Sequence, residues 1–445
     1  MSDMSRRSFL TRSGALVGGL AAASVAACTA GSEDAPGAGG QGARSTVGGF
    51  DPSDWDSVRD QFSLTHDLSH FAAFVLAAHP APVAEAIDRH RKGLDQDSHG
   101  YLAEHEVDNE VAVRAAAAEY LDVAAGEVAL TDSTTMGLGL LYGGLRLRAD
   151  QEVVTMEHDF YSTHEALRLR SERTGTKVSR VRLYDSPADA SADEIVGRLL
   201  GAVTPRTRVV AVTWVHSGTG VKLPITAIAD GLRDLNAGRE ADDRALLCVD
   251  GVHGLGVEDV TAADLGCDFL VAGTHKWLFG PRGTGIVWGR TEAWEAFDVA
   301  IPPFEPASYV AWVEGTAPTG QEPGLAASPG GYHSVEHRWA LAEAFQFHLD
   351  IGKAAIADRT HEQATRLKEG LTNASGVTVV TPMAPELSAG IVCVRVEAPP
   401  ETLGRLSEAG ISAGITPYAE PYVRFGPSIV TSPDEVDAVT EAMSD

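Results

Sequence analysis

The chain has 445 residues, 44% of them hydrophobic and 22% charged, enough apolar material for one large domain and a smaller companion. A formal charge of −27 excludes a protein that grips a nucleic-acid backbone, because that task needs a basic face. Acidity on this scale speaks for solubility and self-repulsion and picks out no substrate.

The first segment reads as an address rather than as fold. The stretch SRRSFL, Ser5 to Leu10, sets paired arginines ahead of an Ala/Gly-rich run from Gly14 to Ala27, which resembles a twin-arginine export signal. That run is too short and too weakly apolar to span a bilayer. It ends Val25-Ala26-Ala27-Cys28, a lipoprotein-like processing box. Residues 1–28 are therefore expected to act as an export signal, with Cys28 lipidated; plain cleavage at a nearby small residue is the alternative. The expected location is outside the cytoplasm, with membrane contact only through the signal or a lipid on Cys28. Export of an already folded chain suits a protein that must first acquire a cofactor. Residues 29–49 are Gly/Ala/Ser-rich and read as a flexible linker.

From Phe50 onward, short apolar runs alternate with helix-like stretches. The strand candidates are Glu127 to Thr131, Glu152 to Met156, Arg208 to Val215, Ala245 to Asp250, Asp268 to Gly273 and Gly283 to Gly289. Runs apolar at nearly every position are strands buried on both faces, so the fold class is α/β, a mostly parallel sheet covered by helices. This large domain is placed at residues 50–315. A Pro/Gly-rich loop is expected from Pro302 to Gly331, then a long helical stretch from about His333 to Leu371. Strands at Gly390 to Val396 and Tyr422 to Pro427, with a closing helix from Asp434, complete a smaller α+β domain at residues 316–445. Cys248, Cys267 and Cys393 are scattered in strand-like runs and read as small buried residues rather than as a disulfide framework.

Ligands of open α/β sheets bind at the carboxyl ends of the strands, and the unusual polar residues of this chain fall there. Ser133, Thr134 and Thr135 stand between a strand and a helix, where a helix N-terminus makes an anion site; ordinary capping is the simpler account of that piece alone. Later strand ends deliver His158, then His216 and Ser217, then Asp250 and His253, and finally His275 and Lys276. A lone histidine is usually structural, and His216 is read so. An aspartate after four apolar residues, with a lysine 26 positions later at another strand end, is harder to explain by packing. Pyridoxal 5′-phosphate accounts for the set. It needs a lysine to link to its aldehyde, a carboxylate for its pyridine nitrogen, a flat group on its ring and a cradle for its phosphate. A lysine in apolar surroundings near another cation also favours its nucleophilic amine form.

The set TDSTTMGL, MEHDF, HSGTGVKLP, VDGVHGLG and THKWLFGPRGTG resembles the class V aminotransferases among the fold type I pyridoxal-phosphate enzymes, in particular isopenicillin N epimerase-like proteins and cysteine desulfurases. The likeness runs from about Phe62 to the C-terminus. It implies that Lys276 carries the cofactor, Asp250 faces the ring nitrogen and His158 stacks on the ring. Thr134, Thr135 and His275 would hold the phosphate, and His253 and Ser217 would contact the ring where desulfurases carry glutamine and asparagine. Arg424 in YVRFGPS would bind the substrate carboxylate, and the enzyme would be a homodimer.

The stretch Glu408 to Arg424, where a desulfurase carries its nucleophilic cysteine, holds none, so persulfide transfer is not expected. What remains is chemistry at the α-carbon of an amino acid or amino-acid conjugate: epimerisation, transamination, or a C–S or β-eliminating lyase reaction. Lys276 is the natural base. Tyr332, His333 and Tyr161 are candidates for a second acid. Two rivals come from other classes. HSVEH, His333 to His337, matches an inverted zinc-hydrolase signature. An exported binding protein without catalysis would use the same fold but would need no reactive lysine.

Overall fold

The computed structural model describes residues 49–444. The signal, Cys28 and all but the last residue of the linker lie outside the described residues.

The central sheet has seven strands. They are β1 (Val128–Thr131), β2 (Glu152–Met156), β3 (Lys177–Val181), β4 (Thr207–Thr213), β5 (Leu246–Asp250), β6 (Phe269–Gly273) and β7 (Gly285–Gly289), in the spatial order β1-β7-β6-β5-β4-β2-β3. All pairs are parallel except the two that β7 makes with β6 and β1. The unbroken apolar runs have a direct cause. Val210, Val212, Leu247, Val249 and Leu270 belong to one core cluster, while Val209, Ala211, Cys248, Phe269 and Val271 belong to another. Alternate side chains thus feed two helical layers, and every position gains from burial, by about 1.5–3 kcal/mol for each large apolar side chain.

The exception is β3. It pairs only with β2 at the sheet edge, and its Lys177, Ser179 and Arg180 are at least partly exposed, which removed the apolar pattern by which the other strands are read. Two further differences concern the second half of the chain. The stretch from Pro302 to Gly331 contains the short helices Pro306–Glu314 and Pro323–Ala327, each opened by a proline whose missing N–H costs nothing in a first turn. The helical stretch after His333 is three helices, Val335–Trp339, Leu341–Ile351 and Lys353–Thr372. The last two are separated at Gly352, whose φ of +95° only glycine adopts cheaply.

A four-stranded antiparallel sheet near the C-terminus is built from β8 (Thr378–Val379), β9 (Val392–Arg395), β10 (Gly414–Ile415) and β11 (Val423–Phe425), in the order β10-β11-β9-β8. Val392, Val394, Val423 and Phe425 pack there against Leu367 and Leu371 and against Val436 and Val439 of the closing helix Pro433–Ser444. The N-terminal pair Ser69–His70 joins this end of the molecule through parallel pairing with Ile411–Ser412, and Phe71 enters the same core.

Candidate active site

The turn after β6 explains how Lys276 is held. Thr274 N–H donates to Thr284 O at 3.1 Å, Phe279 N–H to Lys276 O at 3.0 Å, and Gly280 N–H to Thr274 O at 2.8 Å. Phe279 carries a φ of +55°, an unfavourable value for a bulky residue, and is fixed by burial against Phe62, ring to ring at 5.0 Å. This tight loop presents Lys276 at the carboxyl edge of the sheet, beside Asp250 at the end of β5.

Asp250 is buried, and burial pushes its carboxyl up to about 7, against the opposing pull of the Val252 N–H it accepts at 3.1 Å and of the Lys276 charge. Burial also lowers Lys276 to about 8, with Asp250 opposing the shift and Arg424 adding to it. His253 completes the arrangement. Its Nδ1 accepts from Trp277 Nε1 at 3.0 Å, which leaves the proton of the neutral ring on Nε2, and Nε2 lies 3.5 Å from Lys276 Nζ. Burial holds His253 well below its ordinary range. A neutral imidazole N–H therefore faces the lysine, an environment that favours the unprotonated amine.

The other expected residues converge on the same edge. Thr134 opens the helix Thr134–Gly144, and its hydroxyl accepts from Gly273 N–H at 2.7 Å, tying the helix N-terminus to β6; Thr135 beside it is exposed. A Cβ on Gly273 would stand 2.8 Å from His275 Cε1 and 2.9 Å from Thr134 Oγ1, so only glycine lets these two approach. His158 stacks on Tyr184 at 3.9 Å with rings 8° apart, and burial lowers it to about 4. Arg424 on β11 donates from Nη1 to Ser217 O at 2.9 Å and rests on the Phe74 ring at 4.0 Å, while Ser217 Oγ lies 2.6 Å from the Tyr418 hydroxyl.

Residues 80–412 match the family described as aminotransferase class-V. The chain belongs to the class-V aminotransferase family. Isopenicillin N epimerase of Streptomyces clavuligerus is 28% identical over 334 residues, covering 71% of this chain and 79% of that protein. The epimerase of Amycolatopsis lactamdurans is 26% identical over 79% of this chain and 86% of its own, and a probable cysteine desulfurase of Vibrio cholerae is 23% identical over 73% and 79%. Among solved structures, a mutant of C-DES with glycine covalently linked to its pyridoxal phosphate superposes with a TM-score of 0.77 at 19% identity, covering 87% of this chain and 99% of that one. As a class-V aminotransferase, this chain is a pyridoxal-phosphate-dependent enzyme of the fold type I architecture.

The residues of this class-V site fit that cofactor. His158 Nε2, His216 Nε2, His275 Nδ1 and Arg424 Nε are buried and have no partner within the protein. Buried polar atoms are rarely left so, and a phosphorylated ring with a carboxylate substrate offers hydrogen-bond partners for such atoms. Asp159, Tyr184 and Tyr418 are site neighbours that the sequence reading missed. Asp159 accepts from Thr155 Oγ1, from Met156 N–H at 3.1 Å and from Thr213 Oγ1 at 2.6 Å, and its charge acts on Asp250. Tyr184 links His216 Nδ1 at 2.7 Å to Thr219 Oγ1 at 2.9 Å. The position of Asp159 next to His158 was the available clue.

The zinc signature does not assemble. His333 lies ahead of the helix that begins at Val335, so it shares no helix face with His337. Its two ring nitrogens face Asp132 at 2.9 Å and Pro329 O at 3.1 Å; the Asp132 hydrogen bond raises its pKa, as expected for a ring donating from both nitrogens. Among the described residues no group of three could hold a metal ion. Tyr332 and Tyr161 are 82% and 69% exposed.

Proposed function

We propose that this class-V enzyme moves a proton at the α-carbon of an amino acid or amino-acid conjugate, in the manner of an isopenicillin N epimerase, with epimerisation as the main outcome and transamination as its close variant. The observation that carries this is the buried Lys276 amine, whose ammonium form burial disfavours against the pull of Asp250 and whose Nζ lies 3.5 Å from His253 Nε2, in a site where none of the described cysteines offers an ionisable thiol. Cys248, Cys267 and Cys393 are all fully buried, and burial pushes their thiols upward, Cys267 and Cys393 to about 12. None supplies the thiolate that sulfur transfer needs.

When bound, the cofactor supplies a sink for negative charge developing at the substrate α-carbon. The chain's own residues do the rest. Lys276 anchors the cofactor and, once free, takes the α-proton. Epimerisation is completed by a proton delivered to the opposite face by a second donor, for which Tyr161 and Tyr332 are the exposed candidates, because return by Lys276 alone restores the starting configuration. Asp250 holds a proton at the pyridine nitrogen. His158, backed by Tyr184, supports the ring, and His253 and Ser217 orient it. Thr134, Thr135 and His275 hold the phosphate at the helix N-terminus. Arg424 grips the substrate carboxylate with its planar fork. Arg424→Lys is expected to raise KM by about 10- to 100-fold, the loss of one or two charge-assisted hydrogen bonds, with kcat reduced far less. Equal KM values would remove Arg424 from the clamp.

The deciding experiment incubates the holoenzyme with a panel of L-amino acids and their conjugates in deuterated water. Exchange of the α-proton with inversion, without ammonia release, is the expected result. Ammonia and keto acid without inversion would establish instead a β-eliminating lyase, which uses the same lysine and equally needs no thiol.

Two further proposals concern the setting. Phe304, Tyr309, Trp312 and Tyr332 expose aromatic surface, with Phe304 in ring contact with Tyr309 at 5.9 Å and with Tyr332 at 6.2 Å. A second copy of the chain would cover it, and Trp312→Asp is expected to shift the protein from dimer to monomer in sedimentation. The paired arginines Arg6 and Arg7 and the Cys28 box support twin-arginine export with a lipid anchor. Labelling with a radioactive fatty acid should mark the wild type and spare Cys28→Ala; an unlabelled wild type would reduce this to plain export.

A further inference from the structure

The parallel strands begin at the edge of the sheet opposite Lys276, and a cleft of about 560 Å³ opens there. Its lining includes Arg146, Arg148, Arg170 and Arg208, against two carboxylates, Asp242 and Asp298. With Asp150 and Asp243, which pair with Arg148, the carboxylates at this edge equal the arginines in number, so the edge is locally balanced in a chain of charge −27. At physiological salt, charges more than about 8 Å apart are largely screened, so the nearby groups decide what the cleft attracts.

The two inner arginines are the informative ones. Arg170 and Arg208 are 6% and 5% exposed, and among the described residues neither forms an ion pair. Burial disfavours the charge of both; the Arg173 charge adds to this for Arg170, while the charges of Asp242 and Asp268 oppose it for Arg208. Part of each guanidinium has a structural task. Arg170 donates from Nη1 to Tyr142 O and so caps the C-terminus of the helix Thr134–Gly144, and Arg208 donates to Ala241 O at 3.1 Å and to Arg244 O. Capping uses one nitrogen of Arg170. Its Nε is buried with no partner, although it belongs to a side chain that lines the cleft. An unpaired charge with an unsatisfied donor is expensive to keep inside a protein. At the rim, Arg146 is tied to Asp298 at 2.8 Å, and Arg148 to Asp150 at 3.4 Å and to Asp243. These half-exposed side chains can turn to a ligand.

We propose that this cleft is a second ligand site, separate from the cofactor pocket, for a small anion carrying phosphate or carboxylate groups. Guanidinium forks match both groups in shape and charge. Arg170 and Arg208 form the fixed floor and Arg146 and Arg148 the adjustable rim.

The test is calorimetric titration of the pyridoxal-phosphate-saturated full chain with inorganic phosphate and, separately, with succinate. Saturation fills the cofactor's own phosphate cradle, and a parallel Arg424→Gln variant removes the substrate clamp. At least one probe should bind, and Arg424→Gln should leave that binding intact. The rim variant Arg146→Gln/Arg148→Gln should weaken it about tenfold or more, the worth of one charge-assisted hydrogen bond. Arg170→Lys, which keeps a charge and a donor for Tyr142 O but has no Nε–H, should weaken it as well without lowering the melting temperature of the ligand-free protein. The stronger probe identifies the ligand class. The proposal is overturned if neither probe binds, if the rim variant binds as tightly as wild type, or if binding disappears only in Arg424→Gln; in the first two cases Arg170 is a helix cap alone.

Discussion

Lys276→Met is expected to fold, to resist covalent labelling when its pyridoxal phosphate mixture is reduced with borohydride, and to lose about 10²- to 10⁴-fold in activity, the usual worth of a positioned proton-transfer group. Methionine keeps the apolar stem and removes only the amine, so a collapse of the fold does not confuse the reading. The pH dependence carries more information. Burial lowers the folded-state value of Lys276 to about 8, against 10.5 for a free lysine. Between those two values the unfolded chain holds a proton that the folded cofactor-free protein does not, so this group makes stability rise with pH across that window. Below about 8 the cost of the buried ammonium is fully present, and the methionine variant should lack this slope. Cofactor capture needs the neutral amine, so its rate in wild type, followed by absorbance, should rise through about pH 8. A midpoint near 10.5, or a methionine variant that still becomes labelled, would remove Lys276 from the centre of the site.

Asp250→Asn should separate stability from chemistry. The asparagine amide oxygen can still accept from Val252 N–H, so the local turn after β5 is preserved. What disappears is the carboxylate, and activity should fall by about 10²- to 10³-fold, comparable to losing one preorganised electrostatic group. The cofactor-free protein should respond in the opposite sense. Because burial raises the Asp250 carboxyl from 3.8 to about 7, the folded state resists its ionisation, and stability falls as pH rises from about 4 to 7. The neutral amide should flatten that fall and leave the cofactor-free variant at least as stable as wild type above pH 7. Retained activity with lowered stability would make Asp250 a structural residue.

Much of this site was legible because its parts are local. A buried strand of a doubly covered sheet writes itself as an apolar run, so the ends of β4, β5 and β6 could be located, and the residues at or just beyond them, Ser217, Asp250, His253, His275 and Lys276, follow from position alone. β3 escaped because an edge strand with an exposed face carries no such run. Thr134 and Thr135 could be placed at a helix N-terminus for the same local reason, since the helix follows directly from a strand and a capping serine.

The contacts between distant segments had no local trace. Arg424 meets Ser217 O across 207 positions and Tyr418 meets Ser217 Oγ across 201, through a C-terminal sheet whose short strands give little pattern. Asp159 reads as an ordinary polar residue after His158, and only the parallel pairing of β2 with β4 surrounds it with Thr155 and Thr213. HSVEH had the opposite fate: the motif is present, but the helix starts two residues after His333, and Asp132 takes the ring. By itself the sequence determined the doubly buried strands, the strand-end chemistry and the kind of cofactor, because periodicity and strand boundaries are short-range properties of the chain. The tertiary structure decided which of those groups meet, which donors are left unsatisfied, and how far burial shifts Asp250 and Lys276, because desolvation and pairing depend on everything packed around a side chain rather than on its neighbours in the chain.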